Sequence, residues 1–195
     1  MYERTDEAFE LSERLTVVGK RLVPGEIAPD FLLDYFDRRD SSIRQVRLAD
    51  YAGTVRLLSV VNSLDTPVCQ AETRRWEQLS KELSSDACVY VMRRWEQLSK
   101  ELSDLQICTV SMDLPFAQAR WRSTEGVTHC SLSAHRSNRF GEDYGVLIKE
   151  WRLLQRAVFV IDRQDRIVYA EYVADQMCEP DYESAIQAAR QARMA

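Results

Sequence analysis

Cys69 closes the octapeptide Asn62-Ser63-Leu64-Asp65-Thr66-Pro67-Val68-Cys69, which follows the largely apolar, β-prone run Val55 to Val61. Such a run suits a strand buried on both faces of a mostly parallel sheet. Asp65 or Thr66 can cap a helix that begins at Pro67, a position where a missing N–H costs nothing. Cys69 then falls in the first helical turn. Unpaired backbone N–H groups and the positive end of the helix dipole favour a charged sulfur there, and the thiolate is the nucleophilic form. The same spacing also fits a buried structural cysteine, because free Cys is among the most buried residue types.

Other segments bear on the same chemistry. Met112-Asp113-Leu114-Pro115-Phe116-Ala117-Gln118-Ala119-Arg120-Trp121 follows a second β-prone run. Leu132-Ser133-Ala134-His135-Arg136 and Tyr144-Gly145-Val146 come next, and Glu179-Pro180-Asp181-Tyr182-Glu183 opens the last amphipathic stretch. The five cysteines, at 69, 88, 108, 130 and 178, contain no Cys-x-x-Cys pair and no zinc spacing. Redox chemistry or plain burial therefore fits them better than a disulfide framework or a metal centre. His129 and His135 flank Cys130 without a ligand-like pattern, and no metal or other cofactor is expected.

The octapeptide resembles the peroxidatic-cysteine loop of peroxiredoxins, Pro-x-x-x-Thr-x-x-Cys, in the form found in bacterial thiol peroxidases. The Asp-Leu-Pro-Phe-Ala-Gln segment and the Glu-Pro-Asp-Tyr-Glu segment resemble two further signatures of that subfamily, and the likeness extends over roughly residues 16 to 190. It implies a thioredoxin-like α/β fold: a central mixed β-sheet flanked by helices, with an N-terminal β-hairpin. It implies Cys69 as the peroxidatic nucleophile, attacking the O–O bond of hydrogen peroxide or of an organic or lipid hydroperoxide to give a sulfenic acid. Thr66 would set its hydroxyl beside the sulfur. Arg136, aligned with the region that carries the family's catalytic arginine, would hold thiolate and peroxide oxygen together.

Two positions depart from the family pattern. Asn62 stands where the loop proline belongs and brings an N–H and a polar amide to the pocket. Arg122 stands just past Arg120-Trp121, where the resolving cysteine is expected. Cys88, Cys130 and Cys178 are left as candidate resolving thiols, while Cys108 reads as core packing. Recycling by an external thiol such as thioredoxin is the favoured route, and the resemblance also implies a homodimer. A weakened relative acting as a redox sensor or chaperone is the runner-up.

The remaining elements follow from pattern. Residues 1–14 are polar and read as a loose extension before a single domain over 15–195. Thr16 to Leu22 reads as a hairpin arm, and Leu105 to Met112, Ala157 to Ile161 and Ile167 to Val173 read as strands, the last two joined at Asp162-Arg163-Gln164-Asp165. Arg74 to Ser84 recurs unchanged as Arg93 to Ser103, an offset of 19 residues. Each copy is an amphipathic helix, with Glu77/Lys81 or Glu96/Lys100 paired across a turn. The tandem segment 74–103 reads as a duplication whose extra copy is accommodated at the sheet edge or surface.

Charge and composition narrow the class. With 26 Lys and Arg against 31 Asp and Glu the net charge is −5, and both signs are scattered, so no basic face for nucleic acid or anionic lipid is visible. No stretch approaches the ~20 apolar residues of a membrane span. The charged N-terminus is unlike a signal peptide, and a cytoplasmic location is expected.

Overall fold

The computed structural model describes residues 2–85 and 105–194. The second copy of the repeat and Cys88 lie outside these residues, as does the expected placement of the duplicated segment. The first copy falls in helix α1 (Pro67–Ser85).

A seven-stranded mixed sheet forms the centre, in the order β11 (Ile167–Tyr172), β10 (Ala157–Ile161), β5 (Val55–Val60), β6 (Leu105–Ser111), β7 (Cys130–Ser133), β3 (Leu32–Asp37), β4 (Ser42–Arg47). β5, β6 and β7 run parallel, and β10 runs antiparallel to β5. Every residue of β5 and β10 is buried. Their side chains alternate between two cores: Leu58, Val60, Phe159 and Ile161 face one side, and Val55, Leu57, Val158 and Val160 face the other. This two-sided burial is why both segments read as continuous rather than alternating apolar runs. α1 and α4 (Tyr182–Met194) close the second face through Trp76, Leu79, Ala185, Ile186 and Ala189. α2 (Pro115–Glu125) follows β6, and the short α3 (Arg139–Asp143) follows β7.

The expected strands after residue 100 form close to their expected limits, but residues 1–14 are not a loose extension. Glu3–Glu10 is a strand, β1, paired antiparallel with β2 (Glu13–Val18); β2 pairs antiparallel with β8 (Leu147–Ile148), and β8 with β9 (Leu153–Leu154). The segment reads as polar because only Arg4 and Ala8 of β1 turn fully inward. Arg4 donates to the carbonyl of Gly145 at 2.8 Å, so strand order there comes from a buried cation rather than an apolar stripe. Gly145 has φ of +63°, and a Cβ on it would lie 2.1 Å from the Lys20 carbonyl oxygen. No other residue fits that approach without moving the backbone. Phe9 accepts the backbone N–H of Gln176 at 2.9 Å and donates to Ala174 at 2.8 Å, so the hairpin holds the loop that leads to α4.

Helix α1 is tied to the sheet through Glu77. Its carboxylate accepts from the backbone N–H groups of Thr128 and His129 at 2.9 and 3.1 Å, from the Thr128 hydroxyl at 2.7 Å and from His129 Nδ1 at 3.0 Å. His129 Nε2 meets the Thr109 hydroxyl at 2.9 Å. Burial lowers the His129 pKa against the opposing pull of Glu77. Burial works to raise Glu77, but the His129 and Thr128 hydrogen bonds outweigh it and hold the carboxyl well below its usual range. Both groups thus bind protons less readily folded than unfolded. Their stabilisation is present above the ordinary values of 6.5 and 4.5 and is lost as pH falls toward the folded ones. Urea midpoints are expected to decline from pH 7 to pH 4, and Glu77→Gln to flatten the part of that decline below pH 5. A wild-type midpoint constant over that interval would contradict the assignment.

Candidate active site

The loop after β5 turns tightly into α1. Thr66 donates its backbone N–H and its hydroxyl to the Ser63 carbonyl, at 3.1 and 3.0 Å. Its carbonyl accepts the Gln70 N–H at 3.0 Å, so Thr66 stands at the cap position before Pro67. Asp113, from the segment after β6, clamps the same loop by accepting from Ser63 Oγ at 2.7 Å and Leu64 N–H at 2.8 Å. The distant Asp-Leu-Pro-Phe motif therefore fixes the cysteine loop directly.

Cys69 is the third residue of α1 and is fully buried. Arg156 Nη2 donates to its sulfur at 3.4 Å and to the Gln176 carbonyl at 3.0 Å. The other arm of the guanidinium, Nη1, is ion-paired with Glu72, one turn beyond Cys69 on α1. Arg156 and Glu72 are as buried as the sulfur. Glu72 also accepts from Ser59 Oγ at 2.7 Å and Trp76 Nε1 at 3.2 Å. Burial pushes the Glu72 carboxyl up in spite of these donors. Burial would lower Arg156, but Glu72 and Cys69 overcome it and the guanidinium is held above its ordinary value. A permanent cation thus faces the sulfur in a site closed to water, where electrostatic interactions are strongest.

Asn62 completes the pocket. Its Nδ2 donates to the Leu154 carbonyl at 2.7 Å and to Gln176 Oε1 at 3.1 Å, while its Oδ1 accepts from Cys69 Sγ at 3.9 Å. The amide that replaces proline is therefore satisfied by protein groups rather than by solvent. Its oxygen pairs with the thiol and not with the thiolate; Arg156 pairs with either.

The structure does not bring Arg136, the cation expected from the resemblance, to the sulfur. Arg136 is 58% exposed and ion-paired with Asp34 of β3. Topology explains the difference. Arg136 follows β7, which lies two strands from β5, whereas antiparallel β10 begins beside the C-terminal end of β5, with Ala157 opposite Val60. The residue preceding β10 is thereby delivered to the start of α1. A signal was present in the sequence: Gln155-Arg156 abuts the wholly apolar run Ala157 to Ile161, and a charge at the mouth of a buried strand needs a partner. Glu72 also left a trace, because it lies three residues after Cys69 and four before Trp76, on the face that Trp76 turns inward.

The other cysteines among the described residues lie apart from this cluster. Cys108 and Cys130 sit opposite one another on β6 and β7. Cys178 is exposed, and its sulfur donates to Asp175 Oδ2 at 3.5 Å. His129 and His135 bind Glu77 and Ser133 respectively, and no cluster of metal-ligating side chains occurs among the described residues.

The redoxin family profile matches residues 24–186. The thiol peroxidase of Bacillus subtilis (strain 168) is 41% identical over 177 residues, covering 90% of this chain and 92% of that protein. The thiol peroxidase of Streptococcus gordonii is 40% identical over 181 residues, covering 92% and 96%. Among solved structures, a peroxiredoxin-like protein from Aquifex aeolicus superposes with a TM-score of 0.73 at 27% identity, covering 97% of each chain. The thiol peroxidase from Chromobacterium violaceum shares the fold, with a TM-score of 0.70 at 21% identity over 94% of this chain and 95% of that one. A buried helix-start cysteine facing an arginine in a mixed sheet accords with these likenesses: the chain belongs to the redoxin family, among the bacterial thiol peroxidases, and is a thiol-dependent peroxidase of the peroxiredoxin type.

Proposed function

We propose that Cys69 is the peroxidatic residue and that Arg156, held by Glu72, is the cation that serves it. The contact of Arg156 Nη2 with the buried sulfur carries this reading. The Cys69 thiolate attacks the proximal oxygen of a hydroperoxide, the O–O bond breaks, and hydroxide or alkoxide leaves and takes up a proton. Sulfur is oxidised by two electrons to the sulfenic acid. Arg156 and the helix-start N–H groups of Val68 and Cys69 face the oxygen on which charge develops. Thr66 shapes the turn and keeps lone pairs free to accept from the peroxide. Asn62 stands behind the sulfur and links it to Gln176.

Recycling is proposed to use an external dithiol protein of the thioredoxin class. One thiol displaces water from the sulfenic acid to give a mixed disulfide, and a second thiol releases Cys69. Support comes from Arg122 at the position where the resemblance expects a resolving thiol, and from the separate surroundings of Cys130 and Cys178. Cys88, outside the described residues, is an alternative resolver. A cytoplasmic setting and a homodimer complete the proposal, the second to be measured by sedimentation; no helix among the described residues is long and apolar enough to cross a membrane.

Trp76 reports on the site, because its indole N–H binds the same Glu72 that holds Arg156. Rapid mixing with micromolar hydrogen peroxide is expected to give a fast change in Trp76 fluorescence. Steady turnover is then expected to require thioredoxin and its reductase. Absence of a fast phase would sink the assignment of Cys69. A reproducible intramolecular disulfide from Cys69 after one equivalent of peroxide would sink the one-cysteine cycle alone.

A further inference from the structure

Cys108 and Cys130 are not used by this chemistry, yet they are direct neighbours. They are paired residues on the parallel strands β6 and β7. Adjacent strands lie about 4.8 Å apart and register partners share a face of the sheet. That separation falls inside the Cα–Cα range of about 4.4–6.8 Å that a disulfide spans. The two thiols differ in access. Cys108 is fully buried in the main core, and Cys130 packs against that core while lining an open cleft with Tyr35, Gln106, Arg122 and His129.

We propose that Cys108 and Cys130 form a second redox-active dithiol, independent of Cys69, which peroxide converts to a disulfide across the β6–β7 pair. Cys130 reacts first, since it alone of the two meets solvent. Its thiolate attacks one peroxide oxygen, the O–O bond breaks, and the departing hydroxide takes a proton to become water. Cys108 sulfur then attacks the Cys130 sulfenic sulfur and expels a second water. Two thiols lose two electrons, and one hydrogen peroxide becomes two waters. Cys108 needs no access to solvent because its target is the adjacent sulfur.

The surroundings support that order. The hydrogen bond from the Cys108 S–H stabilises the Cys130 thiolate and, against the effect of burial, holds Cys130 down at about 7, with Arg122 of α2 and the Tyr51 hydroxyl, 3.9 Å from the sulfur, adding to the effect. The same hydrogen bond, together with burial, pushes Cys108 well up. The remaining charged side chains that line the cleft, Asp37, Arg38 and Arg39, lie beyond these contacts at the end of β3. Cys130 is thus the thiolate and Cys108 its proton donor, a division of roles suited to attack by one and resolution by the other.

The test uses the Cys69→Ser chain, so that its result does not depend on the peroxidatic assignment. After exposure to hydrogen peroxide, alkylation and tryptic digestion without reductant, Cys108 lies in peptide 101–120 and Cys130 in peptide 123–136, each with one cysteine. The expected result is loss of both alkylatable thiols together, with the two peptides joined and two hydrogens lighter than their sum, and full recovery of both thiols with dithiothreitol. Adding Cys130→Ser, a change at the partly exposed thiol, is expected to leave Cys108 fully alkylatable. The proposal is overturned if both peptides stay alkylated, if Cys130 proceeds to sulfinic acid while Cys108 stays free, or if Cys130 is joined to Cys88 or Cys178 instead.

Discussion

Cys69→Ser is expected to reduce peroxide turnover by about 10⁴-fold or more and to remove the fast Trp76 fluorescence phase, with little change in stability. The loss follows from the chemistry of the atom. A serine hydroxyl at this position stays protonated at neutral pH and is a poor nucleophile toward an O–O bond, whatever Arg156 and the helix N-terminus contribute. The fold has little reason to respond. The Arg156 Nη2 that donates to sulfur at 3.4 Å can donate to a serine oxygen with a small inward shift, and the Asn62 Oδ1 acceptor can take its O–H. Glu72 keeps its ion pair, so no buried charge is orphaned. Peroxide consumption with thioredoxin recycling, stopped-flow fluorescence and urea unfolding measured on the same preparation separate the two effects. Residual turnover within tenfold of wild type would move the peroxidatic role to another cysteine. A fall in stability of several kcal/mol would show that the sulfur is needed to hold the buried network.

The sequence made Cys69 legible because the signals around it are local. An apolar run, a cap and a proline at consecutive positions set one strand, one turn and one helix start, and the structure places Cys69 third in α1. Thr66 was legible for the same reason, although its hydroxyl is used to close the turn onto Ser63. The cation was not legible, because its choice depends on strand order. From the sequence, Arg136 near one family-like segment and Arg156 at the mouth of a strand are both arginines beside β-prone runs. Only the pairing of β10 with β5, and the distance of β7 from it, decides which guanidinium reaches the sulfur.

The same distinction explains the N-terminus. Strands buried on two faces announce themselves by apolar content, as β5 and β10 do. β1 is an edge strand with two inward positions, one of them an arginine, and its order comes from pairing with β2 and from a carbonyl 141 residues away. Nothing within residues 1–14 encodes that carbonyl. The hairpin nevertheless bears on the chemistry: its Phe9 fixes the backbone of Gln176, and Gln176 accepts from both Arg156 and Asn62. What read as an appendage is a support for the wall of the active site.

Arg156→Met is the sharper test of the network, because it separates catalysis from stability. Removing a preorganised donor aimed at developing charge typically lowers turnover by about 10²–10³-fold, and a loss of that size in kcat/KM is expected here. Methionine approximates the volume of the arginine stem but leaves Glu72 buried without its cation, and breaking one partner of a buried pair costs about 3–5 kcal/mol. The pH dependence carries the sign. Burial already pushes the Glu72 carboxyl up, and without Arg156 it rises further above its unfolded value. The folded variant then binds a proton that the unfolded chain gives up. It is therefore fully stabilised below the ordinary glutamate value of 4.5 and loses stability as pH rises through the folded one. Relative to wild type, the variant is thus expected to be least destabilised near pH 5 and most destabilised near pH 8. Adding Glu72→Gln, which removes the orphan charge while keeping an acceptor for Ser59 and Trp76, is expected to restore most of the stability and none of the activity. If the double variant regained turnover, Arg156 would be a structural counter-ion for Glu72 and not the group that stabilises the reacting sulfur and oxygen.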